Sequence, residues 1–158
     1  MRGKVSGKVV KSNQPINFLG SVDKKTGEVT DQKHDLFGKK IAGSILVFPN
    51  GVGSSVGAYT IYSLKSNNSA PAAMACQKVD LTVASGCALA NIPLFILSPD
   101  EYDSMKDGDE VSLGYERQEE KKIQGSLQEK IPRKFRFLNQ ILLFYMCLQA
   151  KLVQNHQY

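Results

Sequence analysis

The sequence predicts an α/β domain built from layers of strands and helices. Short apolar segments of strand length alternate with longer segments that suit helices, and residues typical of turns separate them. The 158 residues suffice for one domain with a sizeable core, and 42% hydrophobic and 22% charged residues are ordinary for a globular protein. Because strands mix with helices and no repeat has solenoid spacing, we expect one layered α/β or β/β/α domain.

Extended segments are predicted wherever a short apolar or β-branched run lies between turn residues. Taken in order along the chain, they are residues 4–10, 15–19, 28–30, 44–48, 70–76, 91–96 and 110–113. The loop at 20–27 contains Asp23 and Gly27, which suit a turn in which the carboxylate accepts backbone N–H groups. A second turn is predicted at 106–109, just before the last strand.

Two helices are predicted between these strands. Residues 56–64 follow the apolar strand 44–48 and its glycine-rich turn. A second helix begins at Leu81, where Asp80 is a suitable N-cap residue. The two helices separate three of the buried strands, which is the alternation expected of an α/β layer.

The glycine-serine loop between strand 44–48 and helix 56–64 is the strongest functional signal. A strand, a glycine-rich turn and a helix start place free N–H groups and the positive end of a helix dipole beside Ser54 and Ser55. Such a loop can bind an anion or stabilise an ionised serine, or simply cap the helix. The loop is not a Walker A nucleotide-binding loop, because no lysine follows in the required order. Residues Gly53–Gly57 match the Gly-x-Ser-x-Gly motif of serine hydrolases, but the sole downstream histidine is His156, close to the end of the sequence.

The charge distribution limits the partners. Residues 1–44 carry nine Lys or Arg against four Asp or Glu, residues 45–115 three against seven, and residues 116–158 eight against four. We expect solvated surface, or a basic rim that attracts an anionic substrate or an acidic partner. Nucleic-acid binding is not expected, because the basic residues are not interleaved with aromatic ones and no recognition motif is present.

Cysteine and histidine spacing argues against a metal site in this chain. The chain has an odd number of cysteines, namely Cys76, Cys87 and Cys147, and their spacing fits neither a metal knuckle nor a Cys-x-x-Cys pair. The two histidines, His34 and His156, have no ligand-spaced partners. Free thiols in a reducing cytosol are the expectation. The N-terminus has no apolar stretch of signal-peptide type, which favours a cytoplasmic protein.

The last part of the chain has a different composition. Residues 115–130 are highly charged, and residues 135–153 are strongly apolar. Only 14 residues lie between Arg136 and Lys151, fewer than the roughly 20 that span a bilayer. We expect a charged linker and an apolar C-terminal helix that packs on the domain or on a partner. Interfacial membrane association and an atypical extension are the alternatives.

Several segments, in order, resemble the small subunit of archaeal aconitase X-type enzymes. The order and spacing of these segments carry the resemblance, which covers roughly residues 3–113. The matching segments are residues 15–27, 41–49, 51–59, 68–73, 80–93 and 108–111.

The resemblance implies a swivelling β/β/α domain of aconitase-like type over residues 1–114. Residues 115–158, the expected charged linker and C-terminal helical extension, have no counterpart that can be placed in the family. It implies a heterodimer with a large catalytic subunit that carries an iron–sulfur cluster, so that this chain itself binds no cofactor. The implied reaction is the dehydration of (R)-5-phosphomevalonate to trans-anhydromevalonate 5-phosphate in the archaeal mevalonate pathway. The implied activity is therefore that of a hydro-lyase that works only with its large subunit.

The resemblance also assigns roles within the loop. By position, Ser54 is the implied proton acceptor and Ser55 a possible second contact. The N–H groups of the loop at Gly51 and Gly53 would bind the small anionic substrate. Asp23 is either a turn residue or a further substrate contact. Backbone N–H groups and a helix N-terminus could stabilise the alkoxide that a serine base requires.

Two residues depart from the family pattern. Val52 lies where Arg or Lys is usual, and Ser21 replaces a common glycine. A substrate-binding cation is then missing, or comes from Lys65, Lys39 or the partner. Two other functions stay open: dehydration of another hydroxy acid of the hydroxyproline type, and a non-catalytic anion-binding or interaction domain.

Overall fold

The computed structural model describes residues 2–116, and one mixed sheet organises them. The strands of this range are β1 Arg2–Lys11, β2 Ile45–Phe48, β3 Ala73–Cys76, β4 Leu94–Ile96 and β5 Glu110–Glu116. Their order across the sheet is β4-β3-β2-β1-β5. Strands β1 to β4 run parallel, and β5 pairs antiparallel with β1. The parallel carboxyl ends therefore lie at one edge of the sheet.

The helices of the described range connect the strands or cap their ends. They are α1 Phe18–Ser21, α2 Gly57–Ser66, α3 Leu81–Ala90 and α4 Pro99–Ser104. Helix α2 lies in the crossover from β2 to β3, and α3 in the crossover from β3 to β4. The two helices contact each other closely at Gly86, opposite Ala58 and Ile61.

The core has two parts, one on each face of the sheet. Because side chains alternate along a strand, Leu46 and Met74 join α2 and α3 on one face, while Ile45 and Ala75 join Tyr102 on the other. Strands β2 and β3 are fully buried on both faces. This explains their unbroken apolar sequences, since central parallel strands have no solvent-facing side.

The structure confirms the predicted α/β class and most of the predicted elements. Strands β1 to β5 and helices α2 and α3 lie within the predicted segments or overlap them, and the side chain of Asp80 caps α3. Two helices of the described range were not predicted. Helix α4 begins with a capping box between Ser98 and Glu101.

Two of the predicted extended segments were wrong in detail. In residues 15–19, the single bridge is between Ile16 and Gly51, and the chain then turns into α1, which Asn17 caps. Residues 28–30 form isolated bridges rather than a strand, one of them from Glu28 to Lys40. In both places local hydrogen bonds to a side chain or a turn replace the strand ladder.

The predicted C-terminal helix at residues 135–153 lies outside the described residues, as does most of the predicted charged linker. The division into residues 1–114 and 115–158 therefore stays a prediction. Among residues 2–116, no helix is long and apolar enough to cross a membrane.

The close contact between α2 and α3 makes Gly86 sensitive to substitution. A Cβ atom at this position would lie 2.7 Å from Cδ1 of Ile61 and 3.2 Å from Cα of Ala58. We expect Gly86→Ala to lower the free energy of unfolding by about 1–2 kcal/mol, because overpacking outweighs the gain in helix propensity. Urea unfolding measures the change. Ala88→Gly, at an exposed position of the same helix, measures the effect of helix propensity on stability without a change in packing. Unchanged stability of Gly86→Ala would contradict the tight contact.

Candidate active site

The glycine-serine loop lies at the edge of the sheet where the parallel strands end. It follows β2 directly and is joined to the segment after β1 by two backbone hydrogen bonds. The N–H of Ile16 donates to the carbonyl of Asn50 (3.1 Å), and the N–H of Val52 donates to the carbonyl of Ile16 (3.0 Å). Crevices at this edge of open α/β sheets are the usual place for a ligand.

Ser54 forms the entry to helix α2. Its carbonyl accepts the N–H of Gly57 at 2.9 Å, and its Oγ accepts the N–H of Val56 at 3.2 Å. The N–H groups of Ala58 and Tyr59 donate to the carbonyls of Ser55 and Val56. A tight turn thus uses the amides that a helix normally leaves free at its start.

Four amides of the loop are unpaired in the part of the chain that the structure describes. The N–H groups of Gly51, Gly53, Ser54 and Ser55 donate to no acceptor within residues 2–116. Ser54 and Ser55 are both exposed. The arrangement therefore offers a serine whose oxygen accepts one backbone N–H, next to consecutive amides that can take an anion.

Two polar side chains support the loop and were not predicted as site residues. At Gly53, where φ is +101°, a Cβ atom would lie 2.7 Å from Oδ1 of Asn17. At Gly51, a Cβ atom would overlap Oδ2 of Asp80 and lie 2.7 Å from Cγ2 of Val83. The side chains of Asn17 and Asp80 thus occupy the space that the two glycines leave open.

Asn17 and Asp80 are also N-cap residues. Oδ1 of Asn17 accepts the N–H of Gly20 at 3.2 Å, and Oδ1 of Asp80 accepts the N–H of Val83 at 2.8 Å. Each follows a parallel strand by a few residues. The sequence signal for both was therefore a capping residue soon after a strand. The sequence did not show the strand order, which brings Asn17 and Asp80 to the same loop.

Comparison with known proteins identifies the family. The protein-family model of the aconitase X swivel domain matches residues 1–122 of this chain. The chain belongs to this family. Among its relatives, the phosphomevalonate dehydratase small subunit of Methanosarcina mazei is 50% identical over 111 residues, which cover 70% of this chain and 77% of the relative. The protein of the same name from Methanosarcina acetivorans is 48% identical over 113 residues, or 71% and 78% of the two chains.

A solved structure agrees with this assignment. The crystal structure of Thermococcus kodakaraensis aconitase X, in its holo-form, matches with a TM-score of 0.66 and 44% sequence identity. The match covers 70% of this chain and 82% of that chain. The fold described above is thus a swivel domain of the aconitase X type, as the resemblance in the sequence implied.

An exposed apolar rim surrounds the loop of this swivel domain. It consists of Leu19, Val52, Val56, Val79 and Leu81, which are 42–67% exposed. The starts of α1, α2 and α3 meet here: a Cβ atom at Gly57 would contact Thr82 and the backbone of Leu19. Ser54 of the single chain is therefore open to solvent within an apolar border.

The structure does not bring Asp23 to this site. Its carboxylate accepts the N–H groups of Lys25 and Thr26, at 2.9 and 2.7 Å, and the hydroxyl of Thr26. These hydrogen bonds hold the pKa of Asp23 below its usual value. The neighbouring carbonyl of Lys24 accepts the side chain of Asn67 at the far end of α2 from Ser54. Asp23 thus has the turn role rather than a position beside the loop.

The two candidate cations lie at the far end of α2 or are paired with another residue. Lys65 lies in the last turn of α2, at the opposite end from Ser54. Lys39 is paired with Asp107 at 2.7 Å. At Val52 itself the side chain is apolar and 46% exposed. The unpaired amides of the loop and the start of α2 are therefore what the described residues offer an anion at Ser54.

The cysteines of the described range do not fit a metal cluster. Cys76 and Cys87 are buried free thiols, and burial raises their pKa values to about 11 and about 12. Iron–sulfur clusters need thiolates grouped at one point. Residues 2–116 contain no group of three or more His, Cys, Asp or Glu side chains arranged for a metal ion.

These thiols should react slowly in the folded chain. In a Cys147→Ser variant, we expect iodoacetamide at about pH 8 to leave Cys76 and Cys87 unmodified, because only about one thiol in a thousand is ionised at a pKa of about 11. Labelling should increase as the pH rises towards 11, and at any pH once urea unfolds the chain. Mass spectrometry measures it. Rapid labelling of the folded chain at about pH 8 would contradict the burial of both thiols.

Proposed function

We propose that this chain is the small subunit of a two-subunit phosphomevalonate dehydratase. The reaction is the dehydration of (R)-5-phosphomevalonate to trans-anhydromevalonate 5-phosphate in the mevalonate pathway of archaea. The observation that carries the proposal is Ser54, whose Oγ accepts the N–H of Val56 beside unpaired loop amides. Relatives at 48–50% identity that are named small subunits of this enzyme support it.

Ser54 is the proton acceptor of the proposed reaction. A serine is a weak base unless its ionised oxygen is stabilised, and a backbone N–H that donates to Oγ favours the ionised form. The dipole of α2, whose first turn begins just after Ser54, acts in the same direction. Ser54 would remove the proton from C2 of the substrate, while the hydroxyl leaves from C3.

The loop amides bind an anionic group of the substrate. The N–H groups of Gly53, Ser54 and Ser55 have no acceptor within residues 2–116, so a carboxylate or a phosphate oxygen can accept them without displacing an existing bond. The hydroxyl of Ser55 is a further donor at the same place. This swivel domain thus binds the substrate through backbone amides where its relatives were expected to use a cation at position 52.

A large subunit completes the site. The apolar rim around Ser54 suits burial against another protein, and a serine base needs a site from which water is excluded. The iron–sulfur cluster implied by the family would belong to that subunit, where it would act as a Lewis acid on the substrate. We place the pair in the cytosol, where the free thiols of Cys76 and Cys87 would remain reduced.

Co-expression with the cluster-bearing large subunit of the same organism tests the proposal. We expect the two chains to copurify, and the purified pair to dehydrate (R)-5-phosphomevalonate, while neither chain does so alone. Activity on a hydroxyproline but not on phosphomevalonate would assign the site to the related hydro-lyases. A stable chain that binds phosphate but copurifies with no large subunit would instead support an anion-binding domain.

A further inference from the structure

Asp80 carries a buried carboxylate oxygen that lacks a hydrogen-bond donor. Its Oδ1 caps α3 through the N–H of Val83, but Oδ2 has no partner within residues 2–116. Burial removes a carboxylate oxygen from water, and such atoms are almost always paired in folded proteins. The second oxygen of Asp80 therefore needs a donor that the capping role alone does not supply.

Three backbone amides of the loop and of the segment before Asp80 already make other bonds. The N–H groups of Gln77 and Lys78 donate to the carbonyl of Pro49, at 3.1 and 3.0 Å. The N–H of Val52 donates to Ile16. The amides of Gly51 and of Thr82, in the first turn of α3, make no such bond within residues 2–116. Of these two residues, Gly51 belongs to the loop, and Oδ2 lies where its Cβ atom would be.

We propose that Asp80 is a positioning residue for Ser54. The structure does not contain the bond, but a small shift of the loop would let Oδ2 of Asp80 accept the N–H of Gly51 and hold the backbone three residues before Ser54. The glycine at position 51 follows from the same contact, since a Cβ atom there would overlap Oδ2. One carboxylate thus joins the start of α3 to the loop that enters α2.

The bond can be measured in the full chain by NMR, without substrate. We expect a coupling through the hydrogen bond between the amide nitrogen of Gly51 and the carboxyl carbon of Asp80. In Asp80→Asn and Asp80→Ser the coupling should vanish, and hydrogen exchange of the Gly51 amide should become about tenfold faster. Both substitutions keep a capping oxygen, so the amide of Val83 should stay protected.

The controls separate this role from capping. Asp80→Ala should speed hydrogen exchange at the amides of both Gly51 and Val83. Ser98→Ala, at the cap of α4, should leave both exchange rates unchanged. Rapid exchange of Gly51 in the unsubstituted chain, or exchange that is the same in Asp80→Asn, would overturn the proposal. A coupling from Asp80 to the amide of Thr82 instead of Gly51 would do the same, because Oδ2 would then serve only its own helix.

The catalytic consequence rests on the proposed function. In the reconstituted pair, Asp80→Asn should lower kcat about tenfold or more, with KM changed by less than about threefold, because the base is misplaced while the substrate contacts remain. If the unsubstituted pair does not dehydrate phosphomevalonate, the proposed function fails, and the NMR experiment still decides the role of Asp80. Unchanged kcat with a lost coupling would overturn the role of Asp80 in positioning Ser54.

Discussion

The Ser54→Ala variant of the reconstituted pair is expected to turn over substrate about 10²–10⁴-fold more slowly, the range that a positioned base contributes. Alanine keeps the carbonyl that accepts the N–H of Gly57 but lacks the oxygen that would accept the C2 proton. The exposed side chain makes one hydrogen bond, to Val56, so the fold should lose no more than about 1 kcal/mol. Initial rates and urea unfolding give the two quantities.

Matched serines test whether this loss is specific. Ser66→Ala, at the exposed end of the same helix, should leave turnover unchanged. Ser55→Ala should cost about tenfold or less, because it removes one contact to the substrate and leaves the base. Full activity of Ser54→Ala would show that another group takes the proton. Equal losses at Ser54 and Ser55 would favour a shared binding role for both hydroxyls.

Much of the fold could be predicted because its central elements have unambiguous sequences. The buried strands Ile45–Phe48 and Ala73–Cys76 are unbroken apolar runs, as expected of strands covered on both faces. Helix α4 was missed although its start carries a serine, a proline and a glutamate in capping-box order. Helix α1 has four residues, too few to show a helical period.

The site was predictable only in part. The pattern of glycines and serines predicted an anion-binding loop, a role that stays a proposal, but it did not give the full set of amides that are free. That depends on the turn type, because the carbonyl of Ser54 takes the N–H of Gly57 in a short turn before the helix. The support from Asn17 and Asp80 depends on strand order, which brings residues more than 60 positions apart to one loop. The role of Ser54 as a base stays a prediction.

Gly53→Ala should be the most disruptive small change in the loop. Its φ of +101° strains any residue with a side chain, at a cost of about 1–3 kcal/mol. The added Cβ would also press on Oδ1 of Asn17 at 2.7 Å and so disturb the cap of α1, which is worth about 1 kcal/mol more. We expect a loss of about 2–4 kcal/mol in the free energy of unfolding and, since Ser54 follows directly, at least about tenfold in kcat.

Gly38 provides the control for backbone strain alone. Its φ is +76°, and a Cβ atom there would meet nothing within 4 Å. Gly38→Ala should therefore cost only about 1–2 kcal/mol and leave kcat unchanged. Adding Asn17→Ala to Gly53→Ala should restore part of the lost stability, because the clash needs both side chains, and a double-mutant cycle measures that coupling. If Gly53→Ala resembled Gly38→Ala in stability and left kcat intact, the contact with Asn17 would not position the loop.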